Sequence, residues 1–302
     1  MRGVFYIVGP TASGKSALAA EVAARCGAEV VSADAFQVYR GLPLLTAQPN
    51  EAALRQAPHH LIGAVSLTTE MNAEKFREMA WGAIIKIHAR GKPALAVGGS
   101  GLYLKALAHG LAPLPPVDTS LREELNQLSL EELNKRLDAV DPLGTEKIDR
   151  QNKRRLVRAL EICAQTSLPA SAQRLQWRGE GTPAPGVFVF RDRLELNARI
   201  DRRAEEMFRC GVVAEVAEIK QLSATAAKTL GLQQIRQLIA GEISEAECIV
   251  AIQQATRRYA KRQLTWFRRQ TNFEPLNLSL LKDHEVAVES ILQKAARSFA
   301  PR

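Results

Sequence analysis

The sequence predicts an α/β protein in which a parallel sheet flanked by helices is interrupted by a helical insertion. Three observations lead there. Short β-rich runs alternate with helical ones from Met1 to about Gly110, a glycine-rich turn joins the first run to the first helix, and beyond Leu111 the alternation yields to helical patterning until about residue 186. Alternation of that kind marks parallel strands joined by helical crossovers.

Taken in order, Val4-Phe5-Tyr6-Ile7-Val8 reads as a buried strand, and residues 16–25, rich in Ala, Leu and Glu and stopped by Gly27, read as a helix. Between them, Gly9-Pro10-Thr11-Ala12-Ser13-Gly14-Lys15-Ser16 matches the P-loop pattern G-x-x-x-x-G-K-[ST] in the strand–turn–helix setting that the pattern requires. Such a loop turns backbone N–H groups and a helix N-terminus toward a di- or triphosphate. The lysine neutralises the outer phosphate, and the serine hydroxyl can ligate Mg²⁺. Every residue of the loop is therefore a candidate diphosphate ligand, Ser16 is the candidate Mg²⁺ ligand, and the sheet is expected to be P-loop NTPase-like. A ligand-free βα turn is the bland alternative, and it leaves the agreement of all fixed positions with both flanking elements unexplained.

A second strand is expected at residues 28–32, leading to Asp34, and a third at residues 94–97, leading to Gly98-Gly99. Ligands of open α/β sheets collect beyond the carboxyl ends of the strands, so the P-loop, Asp34 and the Gly98-Gly99-Ser100-Gly101 turn should converge on one crevice. Hydrolytic P-loop proteins usually end a strand in an acid that orders Mg²⁺ and water. Here the third strand ends in glycines. Asp34 stands where a transferase of small substrates would place a base for its acceptor, and a carboxylate capping a turn is the other reading. His59-His60 lacks a third ligand at metal spacing, which favours a hydrogen-bonding role.

Around Leu111-Ala112-Pro113-Leu114-Pro115-Pro116 the alternation stops. Helices are expected at residues 120–128, at 129–140 behind the capping box Ser129-Leu130-Glu131-Glu132, and at about 152–164. A loop at residues 179–186 precedes one more strand, Val187-Phe188-Val189-Phe190, and from Asn197 the chain is again mostly helical. The expected organisation is a core over residues 1–111, an insertion over 112–185, and core completion with basic C-terminal helices over 186–302.

The composition is that of a soluble protein, but 41 Lys+Arg against 32 Asp+Glu give a net charge of +9. A surplus of that size suits a polyanionic partner such as nucleic acid, although charge alone does not decide the matter. Two tracts concentrate it. Arg154, Arg155 and Arg158 recur at helical spacing, which leaves phosphate binding and a solvated face as equal alternatives. Residues 256–269 carry Arg258, Lys261, Arg262, Arg268 and Arg269 beside Tyr259 and Trp266, which suits a nucleic-acid strand through phosphate contacts and base stacking. The alternative is a solvated helix with its aromatics in the core. Four scattered cysteines suggest neither zinc nor disulfides, and no stretch has the length of a membrane span, so a cytoplasmic protein is expected.

Together these segments resemble the tRNA dimethylallyltransferase family. The resemblance runs through Gly9 to Ser16, Asp34 with Gln37-Val38-Tyr39-Arg40-Gly41, Thr46-Ala47-Gln48-Pro49, Pro58-His59-His60-Leu61-Ile62, the Gly98 to Leu104 turn, Leu114-Pro115-Pro116, Arg154 to Glu161, and Arg258 to Arg268. It implies transfer of the dimethylallyl group of dimethylallyl diphosphate, held with Mg²⁺ in the P-loop, to the N6 amine of the adenine just 3′ of the anticodon. In that scheme Asp34 is the general base, with Lys15, Thr11 and Arg203 completing the catalytic set at the diphosphate. Asp34, Ala35, Phe36, Gln37 and Ser100 line the adenine end, and Arg122 lies near the anticodon arm. Arg154, Arg155, Arg158, the loop of residues 228–233, and Lys261, Arg262, Trp266 and Arg268 contact the tRNA stem-loop, bound by a monomer.

Several positions depart from the family pattern. Ala35 replaces a Ser, Pro43-Leu44-Leu45 replaces Asp-Ile-Gly, Gln48 replaces a Lys, Gly63 replaces an Asp, and Leu230-Gly231-Leu232 replaces Ile-Gly-Tyr. The diphosphate loop and the base are intact. Three rival readings keep the P-loop: an isopentenyltransferase acting on free AMP, ADP or ATP, which has little use for two basic tracts; a small-molecule kinase using ATP, which the Gly98-Gly99 strand end disfavours; and a non-catalytic RNA-binding module, which has no use for Asp34.

Overall fold

The computed structural model describes residues 3–111, 115–173, 184–269 and 273–299, so Leu114 and the expected loop at residues 179–183 lie outside the described residues. The chain divides into two units: residues 1–108 with 183–302, and residues 109–182.

In the larger unit the first half runs β1 (Val4–Val8), α1 (Lys15–Cys26), β2 (Glu29–Ser32), α2 (Glu51–Gln56), β3 (His59–His60), α3 (Ala73–Ala89), β4 (Ala94–Gly98) and α4 (Gly101–His109). Five helices of the smaller unit follow: α5 (Thr119–Gln127), α6 (Leu130–Val140), α7 (Pro142–Thr145), α8 (Lys153–Thr166) and α9 (Ala170–Gln173). The larger unit then resumes with β5 (Gly186–Phe190), α10 (Arg193–Arg209), α11 (Val212–Ala217), α12 (Leu232–Ile239), α13 (Glu245–Arg269), β6 (Glu274–Asn277) and α14 (His284–Phe299).

Among the described residues the sheet has six strands in the order β3-β2-β4-β1-β5-β6, and every pairing is parallel. Side chains alternate along each strand, so a strand buried on both faces supplies two cores. Val4, Tyr6 and Val8 of β1 join Ala94 and Ala96 of β4 beneath Phe76, Ile84 and Leu104. Phe5 and Ile7 join Leu95, Val97, Val187 and Val189 beneath Leu18 and Val22 of α1 and Val288 and Ile291 of α14. A third cluster links α10, α11, α12 and α13 through Met207, Val212, Leu232 and Ile252.

Two strands carry no β signal in the sequence. β3 is two residues long and enters the sheet by pairing with Val30 and Val31, and β6 contains Pro275, which an edge strand tolerates because its missing N–H need not join a ladder. The expected helices of the smaller unit are all present. They bury Leu125, Leu133, Leu137, Leu156 and Leu160 in one core.

The capping box has the expected reciprocal bonds: Glu132 N–H donates to Ser129 Oγ at 3.2 Å, and Ser129 N–H donates to Glu132 Oε2 at 2.8 Å. Ser129→Ala removes one of these and should destabilise α6 by about 1 kcal/mol. Amide exchange of the full chain should show the loss at the first turn of α6, with the sheet unaffected.

Candidate active site

The loop leaving β1 is shaped by what holds its carbonyl groups. Pro10 O accepts from Lys15 Nζ at 3.1 Å, Ala12 O from Arg199 Nε at 2.8 Å, and Ser13 O from Arg191 Nε at 2.9 Å. In a trans peptide the N–H lies opposite the carbonyl. Anchoring the Ala12 and Ser13 carbonyls therefore sets the direction of the Ser13 and Gly14 amides. Gly14 has φ 97°, in the left-handed region open to glycine, and a Cβ there would lie 3.5 Å from Arg199 Nη2 and 3.7 Å from Arg191 Nη2. Thr11 is held at both polar atoms: its N–H donates to Gln263 Oε1 at 2.9 Å and its Oγ1 accepts from Arg203 Nη1 at 2.8 Å. One loop amide expected to face phosphate is thus engaged by α13.

A cavity of about 170 Å³ opens beside the loop, walled by Thr11, Gly14, Lys15, Ser16, Asp34, Gln37, Thr46, Arg199 and Arg203 among others. Gly9, Pro10 and Ser13, also expected as ligands, are buried; the Ser13 hydroxyl has no hydrogen-bond partner among the described residues. Burial pushes the Lys15 ammonium down to about 8, with Asp34 opposing the shift and Arg203 adding to it. Burial also holds Arg199 and Arg203 below the ordinary arginine value, and Arg191 adds to the effect on Arg199. Lys15, Arg191, Arg199 and Arg203 thus gather around two carboxylates, Asp34 and Glu195. Desolvated cations in excess of their counter-charges make an anion site.

Asp34 follows β2 and lines the same cavity. Its Oδ1 accepts from the N–H groups of Phe36 at 2.9 Å and Gln37 at 3.3 Å, so this residue caps its turn while also lining the cavity. Ser100 Oγ accepts the Ala35 N–H at 2.8 Å, and Gln37 Nε2 donates to Ala47 O at 2.8 Å. Glu215 of α11 accepts from Leu44 N–H and Leu45 N–H at 2.7 and 2.8 Å, which anchors the loop that carries Thr46. The glycines after β4 answer to close packing. A Cβ on Gly98 would overlap the Ala33 carbonyl, one on Gly99 would overlap Gln263, and one on Gly101 would overlap the Trp266 ring.

Gln48, at a departing position, bridges Gln37 O and Tyr39 O at 3.2 and 2.9 Å. His60 bonds Glu29 at 2.7 Å, and Arg90 grips the same carboxylate, which gives that histidine a structural place. Among the described residues no cluster of three or more His, Cys, Asp or Glu could hold a metal ion.

The candidate RNA-binding residues fall into two groups. Lys261, Arg262 and Arg268 are exposed on α13, and Arg154 and Arg155 are exposed on α8. Arg122 and Arg158 instead turn to Glu161, whose side chain is fully buried: Arg122 donates at 2.7 and 2.5 Å and Arg158 at 3.1 Å. A buried carboxylate needs such partners, so these two arginines carry a structural load inside the smaller unit. Trp266 is half-buried, edge-on to Phe267 at 5.0 Å and over Gly101, so packing takes up part of the ring expected to stack on a base. Phe36 lies 6.2 Å from Tyr259, and Arg262 sits 5.6 Å above the Tyr259 ring.

Arg191, Arg199, Glu215 and Gln263 escape the sequence reading. Arg199 and Arg203 do carry a signal, being one helical turn apart on one face of α10. Gln263 carries none, since it meets Thr11 across 252 positions of sequence.

The chain matches a family model described as IPP transferase over residues 37–270. It is 42% identical over 291 residues to the tRNA dimethylallyltransferase of Akkermansia muciniphila, covering 96% of this chain and 98% of that one. Identity to the tRNA dimethylallyltransferase of Geobacter metallireducens is 42% over 277 residues, 87% of this chain and 88% of the relative. Among solved structures, the tRNA isopentenylpyrophosphate transferase of Bacillus halodurans is similar at TM-score 0.71 and 30% identity, covering 99% of this chain and 97% of that one. A eukaryotic dimethylallyltransferase acting on tRNA shares the fold at TM-score 0.82 and 23% identity, covering 100% of this chain and 81% of that one.

The Lys15 environment gives a pH dependence with a definite sign. The free site loses its ammonium proton through about pH 8, and a bound anion favours the protonated form. Affinity for inorganic diphosphate should therefore be highest below that pH and should fall above it, approaching tenfold per pH unit. Lys15→Met should bind more weakly at neutral pH and lack this step. Calorimetric titration of both proteins checks it, because the titration of diphosphate itself cancels in their ratio.

Proposed function

This chain belongs to the IPP transferase family, and from that premise we propose that its cavity takes dimethylallyl diphosphate by the diphosphate while Asp34 faces the adenine N6 that receives the prenyl group. The protein is a transferase that prenylates tRNA. The observation that carries the finer reading is the shared wall: Lys15 and Arg203 line the same cavity as Asp34, so an anionic leaving group and a base fit within one small volume.

The chemistry follows from that arrangement. The N6 lone pair of adenine attacks the allylic carbon, the bond from that carbon to the diphosphate oxygen breaks, and diphosphate departs with the electron pair. The N6 proton passes to the Asp34 carboxylate. Two backbone amides fix Oδ1, which orients the carboxylate and leaves Oδ2 for the proton. Charge growing on the leaving group is met by the Gly14 amide, Lys15 and Arg203, all in place before reaction. Ser16, an oxygen donor on the cavity wall at the start of α1, would hold Mg²⁺, which supplies further neutralisation of the diphosphate when bound.

The acceptor is the adenine just 3′ of the anticodon, presented by a tRNA stem-loop. Arg154 and Arg155 on α8, and Lys261, Arg262 and Arg268 on α13, are exposed cations suited to its phosphates, whereas a free AMP acceptor would leave both tracts without a task. Arg122 and Arg158, braced by Glu161, offer pre-set guanidiniums at the insertion. Among the described residues no helix is long and apolar enough to cross a membrane, and we place the enzyme in the cytoplasm as a monomer.

Asp34→Asn keeps the turn cap and removes the base. Single-turnover transfer should fall by about 10²- to 10⁴-fold while stem-loop affinity changes little. Near-normal transfer would reject the assignment.

Stem-loop affinity should also fall with salt at a log–log slope of about −0.7 per phosphate contact. Arg155→Ala and Arg262→Ala should each flatten that slope by about one contact and leave diphosphate affinity alone. Transfer to free AMP with none to the stem-loop would overturn the tRNA reading.

A further inference from the structure

Gln263 sits at the middle of the molecule's functional geometry without touching the cavity. It lies on the buried face of α13, 5% exposed, and uses both ends of its amide. Oε1 accepts the Thr11 N–H at 2.9 Å, and Nε2 donates to Gly99 O at 2.9 Å. We infer that Gln263 is a positioning residue that sets the diphosphate loop against the loop of the general base, so that donor and acceptor meet at reacting distance.

The two loops it joins are the two halves of the site. On one side, Thr11 carries Arg203 on its hydroxyl, and the loop continues to Lys15. On the other, Gly99 precedes Ser100, whose hydroxyl takes the N–H of Ala35, the residue after Asp34. A chain of bonds thus runs from Arg203 through Thr11, Gln263, Gly99, Ser100 and Ala35 to Asp34. Tyr259, one turn earlier on α13, faces Ser100, Gln263 and Asp34.

The residue type is specific to the task. A neutral side chain of this length with one donor and one acceptor satisfies a backbone N–H and a backbone C=O together, and among common side chains the amide does so without charge. Removing it strands both partners in a buried setting, where an unsatisfied group is costly and pushes its loop to rearrange. The room is also fixed, because a Cβ on Gly99 would overlap the Gln263 amide. A shift of about 1 Å between reacting groups is enough to cost about 10²-fold in rate.

The inference rests on the diphosphate reading of the loop, so one arm of the test is independent of catalysis. In the full-length protein, amide exchange at Thr11 should rise at least about tenfold in Gln263→Met, a substitution that roughly conserves volume. In single-turnover transfer from dimethylallyl diphosphate to an anticodon stem-loop, this variant should lose about 10²-fold in rate per folded molecule, with stem-loop Kd within about twofold of wild type. Gln263→Glu is the second variant. Its carboxyl, when protonated, again offers a donor and an acceptor, so its rate relative to wild type should climb as pH is lowered, which a role in bulk packing would not produce. Protection of Thr11 unchanged in the Met variant, a Met variant within about twofold of wild-type rate, or a Glu-to-wild-type ratio flat with pH would each overturn the inference. If the Met variant does not fold, the Glu ratio decides. Failure of the wild-type protein to transfer at all would strike the diphosphate reading and leave the exchange arm to judge Gln263.

Discussion

Everything at the site depends on keeping cations out of water with too few anions to match them. Lys15 is 8% exposed and lies with Arg199 and Arg203 on one cavity wall. Burial strips these cations of water, and the depressed values of all three groups record that cost first, with repulsion from neighbouring cations adding to it. What makes the cluster tolerable is the loop itself. Its carbonyls at Pro10, Ala12 and Ser13 each accept from one of Lys15, Arg199 and Arg191, so the peptide dipoles hold the cations and the cations hold the peptides. The remaining deficit is what an anionic substrate would supply.

That arrangement places demands on the rest of the larger unit. Arg191 directly follows β5 and Arg199 and Arg203 lie on α10, beyond the point where the chain returns from the smaller unit, and β5 must pair beside β1 to bring them over the loop. The same crowding explains the glycines after β4. With Ala33, Gln263 and Trp266 pressed against them, those positions have no room for a side chain, so the strand cannot end in an acid. The site therefore takes its carboxylate from the end of β2, where Asp34 lines the same cavity as Lys15. Geometry that excludes an acid from one strand end and supplies it from another suits transfer to an acceptor better than hydrolysis by an ordered water.

The smaller unit shows a different use of arginine. Glu161 is fully buried on α8 and is neutralised by Arg122 and Arg158, while Arg154 and Arg155, a turn earlier, remain exposed. Four arginines that look alike in sequence thus divide into two that brace the unit and two that face solvent. Helical spacing puts Arg154, Arg155 and Arg158 of α8 on neighbouring faces and cannot say which of them, or whether Arg122 of α5, meets a carboxylate.

The sequence by itself determined whatever rests on contiguous residues. The phosphate loop, the helix that follows it, the capping box at Ser129 and the four strands with long apolar runs are local patterns, and local backbone physics is enough to read them. The edge strands were hidden for a reason: His59-His60 and Glu274-Pro275-Leu276-Asn277 are extended because neighbours pair with them, not because their own residues favour a strand. In the site, Lys15, Ser16 and Asp34 announced themselves through motif and strand end. Only the tertiary structure decided that Ser13 is fully buried, that Trp266 packs against Phe267 and Gly101, that Arg199 and Arg191 clasp the loop, and that Gln263 bridges the two halves of the site. Those assignments depend on side chains that meet across as many as 252 positions of sequence. Burial and hydrogen-bond satisfaction between such distant residues are properties of the folded chain, and no window of neighbouring residues contains them.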